Sequence, residues 1–268
     1  MARAIILGCG SSGGVPRADG SFGGCDLNQV KNWRTRCSLA IEIDDKLVVI
    51  DISPDFRMQM IKNRLQRLDY VLFTHDHADQ CHGIDDVRAF FLAKGLKTIP
   101  AFAESYCYQR LQQRFEYCFT PHAFYPAIMN LQKINTTLHL PLLKDGGVLP
   151  IEPIYVQHGT LTALGYRIAK LAYIPDVSFI DQQALGLLQG LDVLIIDALR
   201  YRTHPTHAHI GQALSWIGEL KPKQAILTNL HQDLDYNTLE YSLKAYQNPP
   251  LGLTICPAHD GMVIEFTL

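Results

Sequence analysis

The chain has 268 residues, 24 basic and 26 acidic side chains for a formal charge of −2, and a hydrophobic content of 47%. So much apolar material with so little net charge excludes a disordered chain, and near-neutrality removes bulk electrostatics as a reason to expect nucleic-acid or membrane affinity. The seven cysteines are odd in number and scattered, with no Cys-x-x-Cys pair, so neither a disulfide framework nor a thiolate zinc knuckle is indicated.

The opening run Ala4–Leu7 reads as a strand that breaks into the glycine-rich loop Gly8–Gly14, too early for a signal-peptide core. No later stretch has the length of a membrane-spanning helix. These features predict a soluble, cytoplasmic protein of a reducing compartment. Ser38–Ile43 and Leu47–Ile52, separated by Asp44-Asp45-Lys46, read as a hairpin. Pro54–Leu65 has its apolar residues at helical spacing, with Ser53 as the expected N-cap and Pro54 as the first helical residue. Tyr70–Phe73 is a short buried-type strand. Thr98–Ala103 reads as a strand and Glu104–Phe115 as a helix, while residues 116–137 give no clear period. Strands follow at Ile151–Gln157, Leu164–Ala169, Ala172–Ile174, Val193–Ile196, Gln224–Leu227, Leu253–Cys256 and Met262–Phe266. Helices are expected at Phe179–Leu188, Ile210–Leu220 and Asn237–Tyr246. No linker or repeat divides the chain, which predicts one domain over residues 1–268, built of packed sheets covered by helices.

Eleven histidines are the unusual feature of the composition. The strongest chemical signal is Thr74-His75-Asp76-His77-Ala78-Asp79-Gln80-Cys81-His82-Gly83, directly after a buried strand. If the segment stays extended, His75, His77 and Asp79 alternate onto one side. Imidazole nitrogens with a carboxylate suit zinc, iron or manganese. His158 and Asp176 also sit where apolar strands end. Further histidines occur at 204, 207, 209, 231 and 259.

On these residues the chain resembles the metallo-β-lactamase-fold hydrolases. His75–Gly83 nearly completes the motif His-x-His-x-Asp-His-x-x-Gly, and the Gly8–Gly14 loop, Asp51, His158, Tyr173–Asp176, Ile226–Thr228 and Asp260–Met262 fall in the family's order. The pattern is most similar to PhnP-like phosphodiesterases and more distantly to ribonuclease Z. The resemblance implies an α/β fold, the αββα sandwich of two mixed sheets flanked by helices, with metals at one sheet edge. It implies a first metal on His75, His77 and His158, a bridging Asp176, and Asp79 at a second metal and in catalysis. His207 aligns with the family's proposed general acid, and Asp51 is expected to orient a ligand histidine.

The family carries histidine where this chain has Gln80 and Asn229, both at the second metal. An amide coordinates only through its oxygen, a harder and weaker donor than imidazole. The second site is then oxygen-rich, which is the preferred reading and favours Mn²⁺ or Mg²⁺; or it is empty; or His231 and His82 replace the missing ligands, which is the least favoured. One or two divalent ions per chain, Zn²⁺ or Mn²⁺, are expected. Cys25 and Cys37 are expected to be buried thiols, without the structural zinc known in PhnP. Arg57, Arg88 and Arg200 are equal candidates for a phosphate contact.

The function implied is metal-assisted hydrolysis of a small or cyclic phosphodiester, with no membrane partner. The alternatives are a ribonuclease Z-like endonuclease, disfavoured by the negative charge and the lack of a basic arm, and a non-catalytic metal or ligand binder. Homodimerisation follows from the resemblance alone.

Overall fold

The computed structural model describes residues 2–247 and 252–268. The first half of the chain builds one seven-stranded sheet. β1 (Ala2–Gly8), β2 (Ser38–Ile43) and β3 (Lys46–Ile50) form an antiparallel meander. β4 (Tyr70–Leu72), β5 (Ile99–Ala103) and β6 (Met129–Lys133) then add in parallel. Helices α1 (Phe56–Lys62), α2 (Ala78–Cys81), α3 (Arg88–Ala93), α4 (Ser105–Arg114) and α5 (Glu116–Phe119) connect them.

The second half mirrors this. β7 (Leu138–Pro141), β8 (Val148–His158), β9 (Leu161–Ile168) and β10 (Leu171–Ile174) are antiparallel. β11 (Val193–Asp197), β12 (Gln224–Thr228) and β13 (Thr254–Pro257) continue in parallel. Their connections include α6 (Gln182–Leu187), α7 (Ile210–Leu220) and α8 (Tyr236–Leu243). The last strand, β14 (Val263–Phe266), returns to pair with β1, so the sheet orders are β14-β1-β2-β3-β4-β5-β6 and β13-β12-β11-β10-β9-β8-β7.

Strand alternation explains the layers. Ala4 and Ile6 of β1 join Leu39, Ile41, Val48, Ile50, Tyr166, Tyr173, Ile195 and Ile226 in the core between the sheets. Ile5 and Leu7 point the other way, onto Phe56, Met60 and Phe91 under the first helical layer. In α7, Ile210, Ala213, Ile217 and Leu220 recur every three or four residues and pack on the outer face of the second sheet. The result is the expected αββα sandwich of two mixed sheets flanked by helices.

Local expectations differ from the structure at several places. Asp55, not Ser53, precedes α1; the Ser53 carbonyl accepts from Phe56 N at 2.9 Å in a turn that holds Pro54 outside the helix. Glu104 caps α4 rather than beginning it, its carboxylate accepting from Tyr106 N and Cys107 N. The aperiodic stretch after 115 contains α5 and β6. Periodicity has little to report there because α5 is a single turn and β6 sits at the sheet edge with alternate residues exposed.

Two contacts across the sandwich fix the edge on which the histidines lie. Tyr166 Oη of β9 donates to the Phe73 carbonyl at 2.8 Å, and Leu164 N donates to the Thr74 carbonyl at 2.9 Å. Each is worth about 1 kcal/mol net. Together they hold the chain just before His75 against the strand that follows His158.

Candidate metal centre

β4 ends at Leu72, the chain bends at Thr74, and His77 is extended (φ −66°, ψ 151°) at the N-cap of α2. His75 and His77 leave this segment toward the same cluster. Asp79 is delivered differently from the sequence expectation, by the first turn of α2. Gly83 closes this motif because a Cβ there would lie 2.0 Å from the Ser53 carbonyl oxygen. Asp76, between the two histidines, is buried and turned away, paired with Arg114 at 2.8 Å and Arg110 at 3.5 Å, which ties the loop to α4.

His158 comes from the end of β8, Asp176 follows β10, and His207 lies in the connection from β11 to α7. One donor atom each from His75, His77 and His158 falls within 4.8 Å of the others, and the same holds for His158, Asp176 and His207. His77 Nδ1 and His158 Nε2 are 3.3 Å apart.

Hydrogen bonds set the tautomers. Thr74 Oγ1 donates to Asp51 Oδ2 at 2.8 Å, so it accepts from His75 Nδ1 at 3.0 Å. That leaves His75 Nε2 as a lone pair, and this atom is buried without a partner. His158 Nδ1 donates to the Thr206 carbonyl at 2.7 Å, turning its Nε2 lone pair toward His77. Burial, with neighbouring imidazoles, pushes His75 well below the usual imidazole range and His158 down to about 4. Both are neutral donors at neutral pH. Three converging imidazoles, an orphaned lone pair and the Asp176 carboxylate fit a divalent cation.

Asp51 is buried in a left-handed conformation (φ 63°) and reaches His75 through Thr74 rather than directly. His207 is set differently from the other imidazoles. Burial opposes its charge, but the Asp197 hydrogen bond at 3.0 Å, with Asp176 and Asp79 nearby, lifts it to about 9. Asp197, which the sequence reading passed over, also accepts from Val177 N, Ala208 N and Asn229 Nδ2. Its signal was available: like Asp176, it stands where an all-apolar strand ends.

The two amides do not present their oxygens. Gln80 Nε2 donates to Asp176 Oδ2 at 3.0 Å and Asp79 Oδ2 at 3.3 Å. Asn229 Nδ2 donates to Asp176 Oδ1 at 3.3 Å and Asp197 Oδ1 at 3.1 Å. Turning the Gln80 amide over would set its oxygen against two carboxylate oxygens. The carboxylates that would share a second cation, Asp79 and Asp176, are bridged instead by an amide nitrogen. Gln80 Oε1 is left buried without a partner. This donor set does not fit a second metal.

His231 and His82 do not join the ligand groups. His231 Nε2 lies 2.8 Å from Arg17 Nη2, and His82 is exposed against Phe115. His259 lies near Tyr236, with 6.1 Å between ring centroids, and His209 precedes α7 without a side-chain cap. Cys25 and Cys37 are buried free thiols, Cys25 donating to the Gln232 and Leu234 carbonyls and Cys37 to that of Gly10. Among the described residues no helix is long and apolar enough to cross a membrane.

A two-sheet sandwich with histidines and aspartates gathered at the strand ends defines a metallohydrolase architecture. Residues 46–229 match the family model of the beta-lactamase superfamily domain, and the chain belongs to that superfamily. A solved diphosphatase of the PhnP family is 31% identical, superposes with a TM-score of 0.86, and covers 100% of this chain and 99% of its own. Human tRNase Z, short form, shares the fold at 15% identity, with a TM-score of 0.69 over 99% of this chain and 100% of that one. An octanoyltransferase of Porphyromonas gingivalis is 34% identical over 242 residues, which are 89% of this chain and 48% of that protein. The chain thus spans about half the length of this curated relative.

Proposed function

We propose that the protein is a phosphodiesterase that works with one divalent cation, held by His75, His77, His158 and Asp176. The observation that carries this reading is the convergence of the three imidazoles, with His75 Nε2 buried and unpartnered. When bound, such a cation supplies charge neutralisation for phosphoryl oxygens and activation of water.

The chain's own residues do the rest. His207 lies beside the ligand group with its ring held by Asp197, so it donates a proton to the leaving oxygen. Asp197 keeps the ring oriented and charged. Asp79 is half-exposed at the rim of the cluster and takes the proton of the attacking water. Gln80 and Asn229 hold both oxygens of Asp176 with neutral donors where a second cation would otherwise do so.

The likeness to a PhnP-family diphosphatase supports phosphorus as the reaction centre. Acyl transfer, suggested by the name of the octanoyltransferase, fits the site less well. A thiol nucleophile acts as thiolate, and burial pushes Cys81 up to about 12 and Cys37 well above the ordinary thiol range.

Turnover of bis(p-nitrophenyl) phosphate tests the proposal. Hydrolysis with added Zn²⁺ or Mn²⁺, abolished by His75→Ala, is expected. Inactivity on diesters and cyclic phosphates with every metal would refute it, and would favour a non-catalytic binder.

A further inference from the structure

A cavity of about 400 Å³ opens at the end of the first sheet opposite the metal ligands. Lys46 begins β3, Tyr70 begins β4 and Thr98 precedes β5, so three neighbouring parallel strands bring their starts together here. Asp69, Lys94 and Lys97 complete most of the wall. The same β4 leads at its other end to His75, which places the cavity and the metal centre at opposite ends of one strand. A molecule in this cavity is therefore not the group that reacts at the metal.

Among the described residues the wall sets three ammonium groups against one carboxylate. That carboxylate is committed on both oxygens. Asp69 Oδ1 accepts from Lys94 Nζ at 2.7 Å, and Oδ2 accepts from Leu47 N at 2.9 Å. Lys94 is thereby fixed in the wall. Lys46 has the exposed Asp45 at 3.6 Å, beyond hydrogen-bond reach, and Lys97 pairs with no carboxylate among the described residues. Two ammonium charges are left without a close partner on a chain whose net charge is −2. Cations in a concave wall raise the local concentration of anions. Burial and the neighbouring Asp69 hold the Tyr70 phenol above its ordinary range, so it stays protonated and offers a donor, as does the Thr98 hydroxyl.

Size and donor type narrow the ligand. The volume is within the range of small-molecule sites, about 300–1,000 Å³, and a water molecule takes only roughly 30 Å³ of liquid. One phosphate leaves most of the space unfilled. Ammonium groups meet phosphate as point charges, without the planar fork that suits a single carboxylate. Three of them set round one cavity match anionic oxygens spread over two linked phosphates.

We infer that this cavity is a second ligand site, which binds a small molecule bearing a diphosphate or two neighbouring phosphates. The inference is independent of the reaction proposed above, because none of the metal-cluster residues is among the described walls.

Methylenediphosphonate, a diphosphate analogue that resists hydrolysis, is the probe. Acetylation of lysines by an N-hydroxysuccinimide ester, read peptide by peptide by mass spectrometry, shows where it binds. At ten times Kd the free site falls to about one tenth, so acetylation of Lys46 and Lys97 is expected to slow about tenfold. Lys62 on α1 and Lys133 on β6 should keep their rates. Inorganic phosphate should need a concentration about tenfold higher for the same protection. Lys97→Gln should weaken protection of Lys46, and Lys46→Gln that of Lys97, each about tenfold, whereas Lys62→Gln should change neither.

Unchanged acetylation of Lys46 and Lys97, equal slowing at Lys62 and Lys133, or equal potency of inorganic phosphate would overturn the inference. Probe bound at the metal centre alone leaves these lysines unprotected and is one of the overturning results. Thermal melts show whether each variant is folded, and footprinting of the unaltered protein decides the matter if one is not.

Discussion

Thr74→Val isolates the link between the fold and the metal centre. The substitution keeps the β-branched shape and replaces only the hydroxyl that joins Asp51 to His75, at 2.8 Å on one side and 3.0 Å on the other. All three groups are buried. Burial raises Asp51 well above the usual carboxylate range, and the two hydrogen bonds from Thr74 oppose that rise, so valine removes one of them. Leaving buried polar groups without that partner costs about 1–3 kcal/mol, which sets the expected loss in unfolding free energy of the metal-free protein. The second effect is on metal affinity. Without the hydroxyl, nothing holds the His75 proton on Nδ1, and loss of such an outer partner weakens metal binding about 10–100-fold. Urea unfolding followed by circular dichroism reads the first quantity, and Zn²⁺ titration against a competing chelator reads the second. Thr74→Ser keeps the hydroxyl and should retain most of the affinity. If Thr74→Val binds Zn²⁺ as tightly as the unaltered protein, the relay does not set the His75 tautomer and the argument for it is wrong.

Three further outcomes follow from the same geometry. Mass-spectrometric metal analysis after loading and desalting should find one equivalent per chain, and Gln80→His with Asn229→His together should raise it to two; two equivalents in the unaltered protein would contradict the amide-clamped site. Asp197→Asn removes the carboxylate that charges and orients His207, and diester turnover should fall by about 10²-fold or more, the scale of general acid catalysis, while metal stoichiometry is kept. Asp260 is partly buried and accepts from Thr35 and Cys9, yet desolvation raises it from 3.8 to about 6. A carboxyl with a raised folded-state pKa contributes stability that is full below the unfolded value and lost as pH rises through the folded one. The stability difference between the unaltered protein and Asp260→Asn should therefore shrink as pH rises from about 4 to about 6, read from urea midpoints; a difference that grows across that interval would reverse the assignment.

Much of the scaffold was legible because the apolar runs are short, β-branched and bounded by turn residues, a local signal that survives without knowledge of partners. The His75–Gly83 motif, His158 and Asp176 were legible because each stands at or near a strand exit, and His207 through the family resemblance. What the chain order could not show is which atoms face each other across the sandwich. His75 and His77 reach the same cluster, but α2 begins at residue 78 and carries Asp79 in by another route. Asp197 carried the same strand-end signal as Asp176, but its role comes from His207 and Asn229, ten and 32 residues away. Gln80 and Asn229 were visible as departures from a pattern, whereas the direction of their amides depends on carboxylates from β10 and β11. Hydrogen-bond direction, protonation and cavity walls are properties of groups brought together from distant segments, and only the closed pair of sheets decides them.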